Sequence, residues 1–71
     1  MIIDTIPISR LKRELNRVLR TLARNRVDVY VITRKGQPVV YLLSVNHYEN
    51  LLAEMDKLAE QLERLDIDDS I

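Results

Sequence analysis

A chain of 71 residues has room for one domain, and a single core of that size seldom supplies more than about 3–5 kcal/mol of stability. With no cysteine and one histidine, it cannot form disulfides, thiolate metal centres or a histidine metal cluster within one chain. Because 46% of its residues are hydrophobic, a second copy is the stabiliser that remains. The net charge of zero hides a split: residues 1–38 carry nine basic and three acidic side chains, whereas residues 39–71 carry two basic and eight acidic ones.

In chain order, Ile2, Ile3, Ile6 and Ile8, interrupted by Asp4, Thr5 and Pro7, read as a short strand or extended arm. Pro7 has no N–H to give to a ladder, so this strand belongs at a sheet edge or ends there. Ser9 offers a hydroxyl suited to capping a helix. From Leu11 the apolar residues recur as Leu15, Val18, Leu19, Leu22 and Ala23, which traces one face of a helix ending near Asn25. Arg10, Arg13, Arg17, Arg20 and Arg24 occupy its other faces, with Glu14 as the one acid among them.

Val27 to Thr33 is β-branched and aromatic, the signature of a strand. Arg34-Lys35-Gly36-Gln37-Pro38 is the turn, and Gly36, the only glycine, falls where a hairpin needs a positive φ. Val39 to Leu43 is the return strand. Its nearly unbroken apolar run implies burial on both faces, or one face in the core and one in a dimer. Tyr30 and Tyr41, on paired strands, are expected to pack with solvated hydroxyls.

Ser44 or Asn46 can cap a second helix whose stripe, Tyr48, Leu51/Leu52, Met55, Leu58/Ala59, Leu62 and Leu65, alternates steps of three and four beside Glu49, Glu54, Asp56, Glu60 and Glu63. A helix of ~18 residues is about 27 Å long, too long to lie wholly on so small a core. Tyr48, Leu51 and Leu52 are therefore expected in the core and dimer contact. Met55, Leu58, Leu62 and Leu65 are expected to overhang and call for a partner. The tail from Asp66 to Ile71 is acidic and without periodicity.

The fold expected is α+β: a small antiparallel sheet from the N-terminal strand plus the hairpin, a basic first helix and a long C-terminal helix. The opposite charges of the halves suggest two surfaces for two partners, the basic one for a polyanion. The plainer reading is that the acidic half folds over the basic half. His47 is expected at the surface, with nothing near it to complete a catalytic or metal set. No nucleophile with its base is readable, so neither an enzyme nor a cofactor is expected. No apolar run reaches the ~18 residues of a membrane span, and the first residues lack the basic region of an export signal, which makes a cytoplasmic protein with no membrane partner the expectation.

The ordered set Ile8-Ser9-Arg10-Leu11-Lys12, Leu15, Val18, Leu19, then Val31-Ile32-Thr33-Arg34-Lys35-Gly36-Gln37-Pro38, then Leu42-Leu43-Ser44-Val45 with Tyr48 and Leu51, resembles the Phd/YefM antitoxin family over about residues 5–52. That resemblance implies a homodimer that represses transcription from operator DNA and neutralises a cognate toxin. It implies a DNA-binding and dimerisation domain over residues 1–52, joined through the sheet and first helix, and a toxin-binding segment over residues 53–71.

The family's opening Ser-x-x-Arg motif falls on Ser9 and Lys12, and the arginine of its Ile-Thr-Arg turn falls on Arg34, beside Lys35. With Arg10 and Arg13 these make the expected DNA-contact set. Lysine lacks the bidentate fork that reads guanine, so Lys12 suits a phosphate better than a base edge. Met55, Leu58, Leu62 and Leu65 become the expected toxin contacts, an amphipathic helix laid into a groove. The neighbouring acids complement a basic active site such as that of an RNA-cleaving toxin. A stand-alone dimeric repressor, or a dimerisation module without DNA binding, are the alternatives.

Overall fold

The structure, a computed structural model, describes the backbone of residues 1–69 and the side chains of residues 1–64. The elements are β1 (Ile3–Pro7), α1 (Ile8–Ala23), β2 (Val29–Arg34), β3 (Gln37–Leu43) and α2 (Val45–Asp69). The class is α+β, as expected. The sheet, ordered β1-β2-β3, is mixed and not antiparallel throughout, because β1 runs parallel to β2 with Ile3 opposite Val29 and Pro7 opposite Thr33. The reason is α1, which starts where β1 ends and carries the chain back along the sheet, so that β2 restarts beside the beginning of β1.

Pro7 does end its strand, and it directly precedes the helix. This overturns the cap expected of Ser9. The N-cap is Pro7, with no side-chain hydrogen bond, and α1 already begins at Ile8. The helix breaks at Glu14 (φ −114°, ψ 21°), which separates a first turn and a half from a regular run. At the other end Asn25 takes a positive φ of 58°, while the N–H groups of Asn25 and Arg26 donate to the carbonyls of Leu22 and Thr21. That Schellman arrangement satisfies carbonyls that the helix leaves open.

The β2–β3 hairpin turns on Lys35 (φ 52°) and Gly36 (φ 77°), the paired left-handed conformations of a type I′ turn. The register then slips. Ile32 pairs with Val40 and Thr33 with Pro38, which leaves Val39 as an extra residue beside the proline that cannot donate.

Ile6, Val18, Leu22, Tyr30 and Ile32 are the buried core, with Ile8, Leu11, Val27 and Leu42 packed against it. All of it comes from β1, α1, the hairpin and the short link between α1 and β2. Several expectations fail here for one reason, namely that α1 lies over β1 and β2 and α2 packs on nothing to more than a marginal extent. Tyr30 is fully buried, whereas Tyr41 is 70% exposed. The return strand is not buried on both faces within one chain, because Val39 and Val40 are open to solvent as well. Tyr48, Leu51 and Leu52 are likewise exposed and belong to no core in a single chain.

Ser44 caps α2, its Oγ accepting the N–H of His47 at 3.1 Å. The helix does not stop at a short seam but continues to Asp69, about 37 Å at 1.5 Å per residue, through most of the stretch that shows no periodicity. It accounts for the molecule's longest extent, 58 Å against 27 and 15 Å. No helix among the described residues is long and apolar enough to cross a membrane.

Candidate functional site

Two features of this chain stand ready for other molecules: a basic end of the folded unit and a free helix. The basic end follows from topology. Because Pro7 pairs with Thr33, the start of α1 and the β2–β3 turn emerge at the same end of the sheet. Ser9, Arg10, Lys12 and Arg13 on α1 therefore share that end with Arg34 and Lys35 on the turn, and all six are exposed. The six residues read from sequence as one contact set thus lie toward one end of the sheet.

The local chemistry favours an anion. No acidic residue occupies the first turn of α1, and with Pro7 as N-cap its leading N–H groups have no side-chain acceptor. Open N–H groups and the positive end of the helix dipole add to the guanidinium and ammonium charges. Ser9, relieved of capping, keeps its hydroxyl free as a further donor.

Glu14 is the component that sequence reading left out of the site. Its Oε2 accepts from Arg10 Nε and its Oε1 from Arg17 Nε, the latter at 3.0 Å. The hydrogen bond from Arg10 holds the Glu14 carboxyl below its ordinary 4.5, and Glu14 in turn raises the Arg17 guanidinium. Arg10 is thus partly neutralised, which leaves Lys12, Arg13, Arg34 and Lys35 as its unpaired neighbours among the described residues. The i,i+4 and i,i+3 spacing of Arg10, Glu14 and Arg17 was the available signal.

The outer face of the sheet, away from α1, is apolar. Ile3, Val29, Tyr41 and Leu43 share it by register, and with Met1 and Leu51 they line a groove of about 370 Å³. Leu15 and Leu19 on α1 are also half-exposed, since their stripe is wider than the two strands it covers. A monomer leaves all of this surface wet.

On α2, Met55, Leu58 and Leu62 are 64%, 57% and 61% exposed, the overhang expected of them; the side chain of Leu65 lies outside the described residues. His47 is not a plain surface residue. It is half-buried at the base of α2, with a buried Nε2 that has no hydrogen-bond partner. Among the described residues no three of His, Cys, Asp and Glu are grouped to hold a metal.

No curated protein and no solved structure matches the chain. A family model does, that of antitoxin Phd_YefM of type II toxin–antitoxin systems, and it covers residues 3–71, well beyond the stretch up to residue 52 that carries the resemblance in sequence. On that match, which takes in nearly every residue, the chain belongs to the Phd/YefM family of type II antitoxins.

Proposed function

We propose that this antitoxin works as a homodimer that binds operator DNA with residues 1–52 and sequesters its toxin with residues 53–71, repressing its own transcription through the first and neutralising the toxin through the second. The observation that carries the reading is the separation of the two surfaces. The cations Lys12, Arg13, Arg34 and Lys35, with Ser9 and Arg10, stand at one end of the sheet, while Met55, Leu58 and Leu62 are exposed on the part of α2 beyond its base.

The dimer covers the groove of Ile3, Val29, Tyr41 and Leu43 and the open β3 strand. Its two-fold axis then matches a roughly palindromic operator, with half-sites spaced as the two basic ends are. Phosphate contacts supply most of the affinity and all of its steep salt dependence. If each protomer neutralises about three phosphates, the slope of log K against log salt is near −5.

The toxin receives the second half of α2 in an apolar groove, with Leu65 continuing the stripe of Met55, Leu58 and Leu62. Glu54, Asp56, Glu60 and Glu63 beside that stripe suit a toxin with a basic active site, such as a ribonuclease. A cytoplasmic location fits both partners.

A chain ending at Leu52 tests the division. It keeps the entire buried core, so it retains salt-dependent DNA binding and loses neutralisation, measured as rescue of growth from the toxin encoded beside it. Full rescue by the shortened chain would overturn the assignment.

A further inference from the structure

The arginines of α1 do not end where the hairpin turn does. Beyond the break at Glu14, Arg17 and Arg20 on the regular part of the helix and Arg24 at its C-cap recur at steps of three and four, so they share one face. The Schellman turn at Asn25 then folds the chain back and brings Arg26 to the same face, held by its N–H on the Thr21 carbonyl at 3.1 Å. Arg17, Arg20, Arg24 and Arg26 with Thr21 enclose a shallow pocket of about 210 Å³. Arg17 and Arg20 also border the next concavity, which runs on to Lys12 and Arg13. The result is a cationic track along α1, interrupted by Glu14, on a helix whose 16 residues span about 24 Å.

We propose that the pocket of Arg17, Arg20, Arg24 and Arg26 is a second phosphate-binding site, taking backbone phosphates of duplex DNA that flanks the segment held at the opposite end of α1. The proposal rests on the DNA-binding reading above and extends its footprint. Arg20, Arg24 and Arg26 have no carboxylate partner among the described residues, whereas Arg17 donates its Nε to Glu14 and also interacts with the Tyr30 hydroxyl, so the free charge of the pocket rests on the other three. Cations near a helix C-terminus do favour the dipole, which accounts for Arg20 in the last turn of α1. It does not account for Arg26, which lies beyond the helix and is turned back toward it.

The chemistry of the lining selects the ligand. No aromatic ring is present to stack on an unpaired base, and the Thr21 hydroxyl is already committed to the Arg17 carbonyl at 2.8 Å. Guanidinium forks match phosphate oxygens bidentately, and contacts to phosphate carry no base preference. A track of ~24 Å also exceeds the ~12 Å width of a major groove, so its two ends reach phosphates on different sides of a groove.

The test is a titration across salt concentration with the full-length chain and the duplex upstream of its own reading frame, with circular dichroism to verify folding. In a dimer Arg24→Ala removes two phosphate contacts, so the slope of log K against log salt becomes shallower by about 2. The triple change R20A/R24A/R26A flattens it further, and R20K/R24K/R26K restores it, which a purely structural role for the arginine forks would not do. Wild-type slope and affinity in both alanine variants, alongside a loss in Arg34→Ala, overturn the second site while leaving the first intact. An effect seen on a hairpin RNA but not on the duplex also overturns it. A wild-type chain that binds no duplex brings down the DNA reading and this site together.

Discussion

The first 43 residues and the helix that follows them are nearly equal in apolar content to the eye but opposite in what they do with it. Between Ile3 and Leu43 a mixed sheet and one helix bury Ile6, Val18, Leu22, Tyr30 and Ile32 almost completely. From Val45 to Arg64 every residue but His47 is exposed, Leu51 and Leu52 the least so of the large hydrophobics, although a regular stripe runs from Tyr48 to Leu62. Amphipathic periodicity therefore reports that a face will be covered without saying by what. In α1 the cover is the chain's own sheet; in α2 the chain itself supplies none, and the cover proposed is another molecule. The charges follow the same division, cations on the folded unit and carboxylates on the free helix.

The largest expected effect separates the two regions directly. Leu22→Ala, in the core, should lower stability by about 2–5 kcal/mol, which consumes most of what a domain of this size has. Leu62→Ala removes the same atoms from an exposed helix and should change the thermal melt by no more than about 0.5 kcal/mol. It should nevertheless weaken capture of the toxin. Melts that fall equally for both variants would show that α2 is part of the cooperative unit, and the comparison would break.

A smaller effect is expected between the copies of the proposed dimer. Tyr41 stands on the outer face of the sheet, beside Leu43 in the apolar groove and 70% exposed in the single chain. Tyr41→Glu places a carboxylate in that groove in both protomers, so the dimer should dissociate at a concentration at least about tenfold higher, a change of roughly 1.4 kcal/mol. Mass measurement by light scattering over a dilution series reads this. An unchanged dimer would move the contact elsewhere, with the half-exposed Leu15 and Leu19 on α1 the next surface to test.

Much of this was legible in the sequence because it is local. The periods of α1 and α2, the glycine of the hairpin and the strand-ending Pro7 each follow from the chemistry of a few neighbouring residues. The direction of β1 is not local. It depends on where α1 delivers the chain, and nothing in Ile2 to Pro7 encodes a parallel partner. The core membership of Tyr48, Leu51 and Leu52 failed likewise, because periodicity cannot tell a chain's own surface from a partner's. Of the site, the joining of Ser9, Arg10, Lys12 and Arg13 to Arg34 and Lys35 follows from that same parallel pairing. The role of Glu14 was readable from its spacing to Arg10 and Arg17 but was masked by the count of arginines around it.

Glu14 supplies the smallest and sharpest test, because it is the acid set within the cationic surface of α1. Its hydrogen bond from Arg10 and its pairing with Arg17 hold the carboxyl below the ordinary 4.5. A carboxylate whose folded value is depressed contributes stability that is present above 4.5 and is lost as pH falls through the lowered folded value. With about a third of its side chain still open to solvent, that contribution is slight, so Glu14→Gln should leave the neutral-pH melt unchanged and remove only a minor part of the acid-side decline. Its effect on DNA should be larger and opposite in sign. Removing the carboxylate deletes one negative charge per protomer and releases the side chains of Arg10 and Arg17 toward phosphate. Binding should then tighten a few-fold at moderate salt, with a steeper salt slope. Weaker binding by the glutamine variant would mean that Glu14 orients the two arginines productively, and the break in α1 at this residue would then belong to the DNA-binding surface itself.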